Sequence, residues 1–241
     1  MLRIVSNTDK GLVRDQNQDA AKSGALADGT IWSCVCDGMG GAVGGNIASR
    51  VVVDAFAESA GSLSGEYSAE TVKNFLIAAV NRANALVCQR IEEDPSLAGM
   101  GTTVVACVVK SGFAHIAHVG DSRAYKLGPG GIAQLTKDHS MVQVLVEQGQ
   151  IAPEEAKTHP KRNIITRAVG ISRNVDVDYE EVPLEEGEML LLCTDGVSGP
   201  LEDEEMLQIV RETDFFQATA ALVEAANARG GSDNATAVLI G

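Results

Sequence analysis

The sequence predicts an α+β layered sandwich, with antiparallel strands at the centre and pairs of helices outside. Three observations carry this. Short runs rich in Val, Ile, Leu, Cys and Thr, each bounded by glycine or polar residues, recur along the chain. Those between 101 and 136 follow one another too closely to leave room for helical crossovers, which makes that stretch antiparallel. Helical periodicity, by contrast, comes in pairs, one pair in the first hundred residues and one near the C-terminus.

In chain order, strands are expected at 31–36, 101–110, 113–119, 122–127, 132–136, 188–194 and 235–240. Ser111-Gly112 and the run from Leu127 to Gly131 read as hairpin-type turns. Ile47, Val51, Val52, Ala55 and Phe56 mark a helix that starts near Asn46, after a Gly-rich loop at 38–45. Phe75, Leu76, Ala79, Val80, Ala83, Leu86 and Val87 mark its partner, behind a Ser68 cap. The second pair falls at 202–212 and 215–229, with Asp214 as N-cap and Gly230 as the stop. Between the strand regions, 139–169 holds two short amphipathic helices, broken at Gly149 and restarted at Pro153, which reads as an inserted flap.

At 241 residues and 45% hydrophobic content, with no long linker, the chain is expected to form one domain. Its formal charge of -14 argues against a nucleic-acid backbone or an anionic membrane as the main partner. The N-terminus lacks the apolar core of a signal peptide, and no stretch approaches the roughly 18 apolar residues of a spanning helix, so a cytoplasmic protein is expected. Five cysteines, mostly inside apolar runs, read as reduced thiols packed as small hydrophobes, and Cys34-Val35-Cys36 as an apolar strand rather than a metal or redox pair. High charge and the lack of heptads make a monomer the default.

The chemistry-bearing signal is an aspartate that recurs at the end of an apolar run, followed by glycine or a small polar residue. It occurs at Asp37, Asp121 and Asp195, and again at Asp233 within Gly230-Gly231-Ser232-Asp233-Asn234. Carboxylates crowded at strand tips repel one another unless a cation sits between them. Aspartate-rich, histidine-poor sites suit hard divalent cations such as Mg²⁺ and Mn²⁺. Zinc is disfavoured, because His115 and His118 fall in a strand at a spacing that points them to opposite faces. The Gly-rich stretch after Asp37 lacks the Lys-Ser/Thr ending of a phosphate-binding P-loop. Arg14, five residues before Asp19, has the planar fork that suits a phosphate, although taken alone it reads sooner as a surface arginine beside a turn.

Seven blocks stand in order: Arg14 to Asp19, Asp37-Gly38-Met39-Gly40-Gly41, Gly99 to Thr103, His118 to Arg123, Asp138-His139-Ser140, Thr194-Asp195-Gly196 and Gly231 to Asn234. Together they resemble the metal-dependent serine/threonine phosphatases of the PPM (PP2C) family, of the compact bacterial type, over essentially the whole chain. The resemblance implies a four-layer αββα sandwich with a dinuclear Mn²⁺ or Mg²⁺ centre at one end. It implies that Asp37 bridges both ions, that the Gly38 carbonyl binds one, and that Asp195 and Asp233 hold the other. Asp19 then orients metal-bound water from behind, Arg14 binds the phosphate, and Asp121 serves a third, weaker ion near the flap.

The implied reaction is hydrolysis of phosphoserine and phosphothreonine by direct attack of a metal-bridging hydroxide, opposing a bacterial Ser/Thr kinase. A non-catalytic binding or regulatory module on the same fold is the alternative. The chain departs from many relatives in carrying Met39 and Ala42 where a histidine proposed as general acid often stands. His139 is open as that proton donor or as a structural side chain at the mouth of the flap.

Overall fold

The computed structural model describes residues 2–63 and 68–241. The chain begins with strands β1 (Ile4–Asp9), β2 (Ala20–Ala25), β3 (Ile31–Cys36) and the short β4 (Gly38–Met39), followed by helices α1 (Gly41–Ala60) and α2 (Ala69–Glu93). Next come β5 (Gly101–Thr102), β6 (Val104–Lys110), β7 (Phe113–Val119), β8 (Arg123–Gly128) and β9 (Gly131–Gln134). The flap carries α3 (Met141–Glu147) and α4 (Pro153–Ala156). The chain closes with β10 (Asp178–Pro183), β11 (Met189–Cys193), α5 (Asp195–Ser198), α6 (Asp203–Glu212), α7 (Phe215–Ala228) and β12 (Ala235–Ile240).

Two five-stranded sheets run in the orders β1-β12-β11-β8-β9 and β10-β7-β6-β3-β2, and every pairing in them is antiparallel. Strand parity sorts their side chains into layers. From β6, Val105, Cys107 and Val109 enter the seam between the sheets, where they meet Leu190, Leu192, Val238 and Ile240. The alternate residues Val104, Ala106 and Val108 pack outward against Val52 and Phe56 of α1 and Leu76 and Val80 of α2. On the other side, Leu191, Cys193, Ala237 and Leu239 pack against Met206 of α6 and Leu222 of α7. The result is the four-layer αββα order. Burial on both faces explains why these strands read as unbroken apolar runs.

Within the two large sheets, the strands that the runs did not signal, β1, β2 and β10, are all edges. Edge strands keep one flank exposed and tolerate sequences as polar as Asp178-Tyr179-Glu180-Glu181. Ser68 caps α2 by accepting from the Thr71 amide, and Asp214 caps α7 by accepting from that of Phe216.

The Gly-rich loop expected at 38–45 is in fact the first turn of α1, which starts at Gly41. Its glycines serve close packing: a Cβ on Gly45 would lie 2.6 Å from the Gly38 carbonyl, so β4 and the helix start can touch only without side chains. The strand expected over 101–110 breaks at Thr103, whose amide and hydroxyl leave the ladder to hold Asp37.

Candidate metal centre

Antiparallel pairing brings the C-terminal ends of β3, β7 and β11 to the same end of the sandwich as the start of β12. Asp37, Asp121, Asp195 and Asp233 follow or precede those ends directly. Asp19 leads into β2, whose Ala20 pairs with Cys36. Asp37, Gly38, Asp121, Asp195, Asp233 and Arg14 line a cavity of about 550 Å³, with Val13 on the Arg14 side and Asn163 and Ile165 contributed by the flap. Asp19 lies behind this wall, 7% exposed.

The backbone around Asp37 is pinned before its carboxylate is considered. Its amide donates to Thr103 Oγ1 at 2.9 Å, while its carbonyl accepts from the Thr102 hydroxyl at 2.7 Å and the Thr103 amide at 2.9 Å. Thr103 Oγ1 in turn shares a 2.7 Å hydrogen bond with Ser122, next to Asp121. On the other side, Asn234 staples the Arg14 loop. Its amide group donates to the carbonyls of Lys10 and Gln16 at 2.8 and 2.9 Å, and its oxygen accepts from the Gln18 amide at 2.8 Å. Three of the four hydrogen bonds an asparagine amide can make are thereby used to position one loop.

Asp19 Oδ2 accepts from Thr194 Oγ1 at 2.8 Å and Thr236 Oγ1 at 2.7 Å, while its Oδ1 is buried with no protein partner. Asp195 Oδ1 is likewise buried and unpartnered. Burial pushes the Asp19 carboxyl up to about 7 despite the two threonines, and the charges of Asp195 and Asp233 add to the rise. Asp121 is pushed to about 7, first by burial and then by Asp195 and Asp138. Asp37 and Asp195, in hydrogen-bond contact, are both raised, chiefly by burial. Arg14, the one cation lining the cavity among the described residues, pairs with Asp233, 2.7 Å from its Oδ2.

Buried carboxylates that repel one another, with orphaned oxygens among them, are the condition that a hard divalent cation relieves. The donor set is all oxygen, which fits Mg²⁺ or Mn²⁺ better than a soft metal. None of the four histidines lines the cavity.

A second cluster lies at the base of the flap. Ligand atoms of His118, His139 and Asp178 fall within 4.8 Å of one another. The two rings, however, stack with centroids 4.7 Å apart at 18°. An imidazole lone pair lies in its ring plane, so rings stacked face to face cannot both aim at one ion. Each ring is also engaged: the Gly120 amide donates to His139 Nδ1 at 3.1 Å, and His118 Nε2 sits 2.9 Å from the Lys137 carbonyl. His139 Nε2 lies 3.2 Å from Asp178, which also pairs with Arg167 at 2.6 Å, so the cluster ties the entry of the flap to its exit. His139 is therefore the structural side chain of the two readings. His115, on the opposite face of β7, contacts Tyr179 instead.

The sequence singles out the aspartates but gives no role to what holds them: Thr103, Thr194 and Asn234 stand inside the seven blocks without an assigned duty, and Thr236 lies outside them as a polar residue in an apolar strand. The side chain of Ala42 lies outside the described residues.

An αββα sandwich with this cluster at one end defines the class of metal-dependent phosphatases. The chain belongs to the protein phosphatase 2C family, whose model, described as Protein phosphatase 2C, matches residues 10–239. It is 36% identical to the serine/threonine protein phosphatase PstP of Mycobacterium tuberculosis over 239 residues, 99% of this chain and 45% of that protein. The chain thus spans about half the length of that relative. It is 35% identical over 234 residues to the serine/threonine phosphatase stp of Listeria monocytogenes, covering 97% of this chain and 93% of stp. A solved structure of the PstP catalytic domain in complex with two manganese ions superposes with a TM-score of 0.88 at 35% identity, over 99% of this chain and 97% of that one.

Proposed function

We propose that the protein is a single-domain, monomeric, cytoplasmic phosphatase that hydrolyses phosphoserine and phosphothreonine in proteins and opposes a bacterial Ser/Thr kinase. The observation that carries this reading is the convergence of Asp19, Asp37, Asp121, Asp195 and Asp233 around one cavity with Arg14 at its wall. Among the described residues no helix is long and apolar enough to cross a membrane.

In this reading Asp37 and the Gly38 carbonyl would hold one Mn²⁺ or Mg²⁺ ion, Asp37, Asp195 and Asp233 would hold a second, and Asp121 would hold a third, weaker ion. When bound, the ions supply Lewis acidity that makes water a nucleophile at neutral pH and neutralises charge on the phosphoryl group. The chain's own contribution is placement. Thr102 and Thr103 fix Asp37, Asn234 fixes the Arg14 loop, and the two threonine hydroxyls hold Asp19 Oδ2 so that its other oxygen is free to orient a water. Arg14 presents its fork to the phosphoryl oxygens as charge spreads onto them.

The test is hydrolysis of a phosphothreonine peptide with Mn²⁺, with Mg²⁺ and with chelator, in the wild type and in Asp195→Ala. Turnover should require the metal and vanish in the variant; turnover that survives either treatment refutes the mechanism. A complete lack of turnover with metal would point to a binding module instead. Phosphoproteomics of a deletion strain tests the kinase-opposing role, which unchanged kinase-dependent phosphorylation would overturn.

A further inference from the structure

A chain of net charge -14 carries one stretch of opposite character. Residues 156–175 contain Lys157, Lys161, Arg162, Arg167 and Arg173 and no Asp or Glu. Three of these five cations are spoken for: Lys157 pairs with Glu202, Arg167 with Asp178 and Arg173 with Glu92. Lys161 and Arg162 are exposed, and neither has an ion-pair partner among the described residues. They sit on an ordered turn. The Arg162 amide donates to the His159 carbonyl at 3.0 Å, that of Ile164 to the Lys161 carbonyl at 3.1 Å, and that of Met141 to the Ile164 carbonyl at 2.7 Å. The very next residue, Asn163, lines the cavity, as does Ile165. At 3.8 Å per residue, the backbones of both cations lie within about 8 Å of that wall.

We infer that Lys161 and Arg162 form a substrate subsite for acidic residues beside the phosphorylated one, so that the enzyme prefers phosphoproteins with Asp or Glu flanking the reacting serine or threonine. This rests on the phosphatase reading and deepens it. Charge complementarity favours this: on a molecule this acidic, an anionic peptide is repelled from most of the surface and drawn to a stretch beside the cavity that holds two adjacent exposed cations without ion-pair partners among the described residues. Because the turn is held by its own backbone hydrogen bonds, docking there orders only two side chains. Arg14, which also lines the cavity, takes the phosphoryl group in the proposed reaction, so the two cationic sites read different parts of one peptide.

The experiment compares kcat/KM for three phosphothreonine peptides of equal length, with acidic, neutral and basic flanks, in the Mn²⁺-loaded full chain. The variants are Lys161→Gln with Arg162→Gln, and Lys161→Glu with Arg162→Glu, and p-nitrophenyl phosphate reports the chemistry alone. At low salt the acidic peptide should exceed the neutral one by about fivefold, mostly through KM, the scale of two exposed ion pairs. The glutamine variant should erase that preference, the glutamate variant should reverse it, and p-nitrophenyl phosphate turnover should hold in both. Equal ranking of the peptides in wild type and variants, with p-nitrophenyl phosphate turnover intact, overturns the subsite alone. Failure of the wild type to hydrolyse any of these compounds instead overturns the phosphatase reading, and the subsite with it.

Discussion

Arg14 Nη2 donates to Asp233 Oδ2 over 2.7 Å, joining residues 219 positions apart in the chain. The pair links a cation of the cavity wall to the cluster of carboxylates, and it does so at the surface, with side chains 52% and 32% exposed. An ion pair so exposed contributes little to stability. In the proposed reaction its value lies in holding a guanidinium beside the carboxylates, where a phosphoryl group would meet them.

Arg14→Ala should therefore separate function from stability. Loss of a positioned donor to the developing phosphoryl charge should lower kcat/KM about a hundredfold, in both kcat and KM. Unfolding free energy should stay within about 0.5 kcal/mol of the wild type, as for a surface pair. Arg14→Lys, which keeps the charge and loses the fork, should fall between the two. Steady-state kinetics beside urea unfolding makes the comparison, and an unchanged kcat/KM in Arg14→Ala would remove Arg14 from the reaction.

The histidines near the flap give a pH dependence whose sign follows from their burial. His139 is held below its ordinary value, first by burial and then by the neighbouring His118 and Arg167, although Asp178 opposes this. The unfolded chain thus takes up the proton more readily than the folded one. Stability linked to neutral His139 is present above about pH 6.5 and is lost as pH falls through that value toward the lower folded one. The hydrogen bonding points the same way as burial, because Nδ1 can accept from the Gly120 amide only while unprotonated. In His139→Asn the side-chain oxygen can take over that acceptance without titrating. Melting curves from pH 7.5 to 5 should show the wild type losing stability faster than the variant, and parallel curves would contradict the assignment.

Much of this architecture was legible because the central strands are buried on both faces, which writes them into the sequence as apolar runs. Ile31–Cys36, Phe113–Val119 and Ala235–Ile240 fall where those runs lie. Of the four edges only β9 was legible; β1, β2 and β10 need only one paired flank and spend more of their residues on solvent. The glycines of 41–45 misled for a related reason: composition suggests a loop, but the absence of Cβ atoms lets a helix start press against β4. For the cluster, the aspartates announced themselves by ending apolar runs, and Asp19, which ends none, came only through the family resemblance. Asn234 and the threonines act by hydrogen bonds between segments distant in sequence, which no local pattern encodes.

Gly196 tests how tightly the cluster is held. A Cβ there would lie 1.8 Å from the Asn234 carbonyl, a backbone atom that cannot swing aside. Gly196→Ala should force apart the start of α5, which carries Asp195, and the entry to β12, which follows Asp233. Overpacking of this kind costs about 3 kcal/mol. The variant should show a lower urea midpoint, and Mn²⁺ should bind more weakly by calorimetry because two carboxylates lose their register. Wild-type stability and affinity in Gly196→Ala would mean that this contact is not tight in solution.

The carboxylates themselves predict a trade between stability and function. Asp37 and Asp195 are both driven upward in pKa chiefly by burial, with the charges of Asp19 and Asp195 adding to the rise at Asp37 and that of Asp233 at Asp195, so in chelator near neutral pH burying this crowded set of carboxylates works against the fold. Asp195→Asn removes one of the charges and keeps a side chain able to hydrogen-bond Asp37. In chelator the variant should gain about 1 kcal/mol over the wild type, the usual scale for relieving a strained functional site. Saturating Mn²⁺ should stabilise the wild type by about 2.7 kcal/mol at a hundredfold excess over Kd, and the variant much less, because one ligand is gone. The order of stabilities should thus invert on adding metal, while turnover is lost in the variant under both conditions. Thermal melts of the two proteins with and without Mn²⁺ decide it: an Asp195→Asn protein that is less stable in chelator, or that gains as much from Mn²⁺ as the wild type, would show that Asp195 is neither a source of strain nor a ligand.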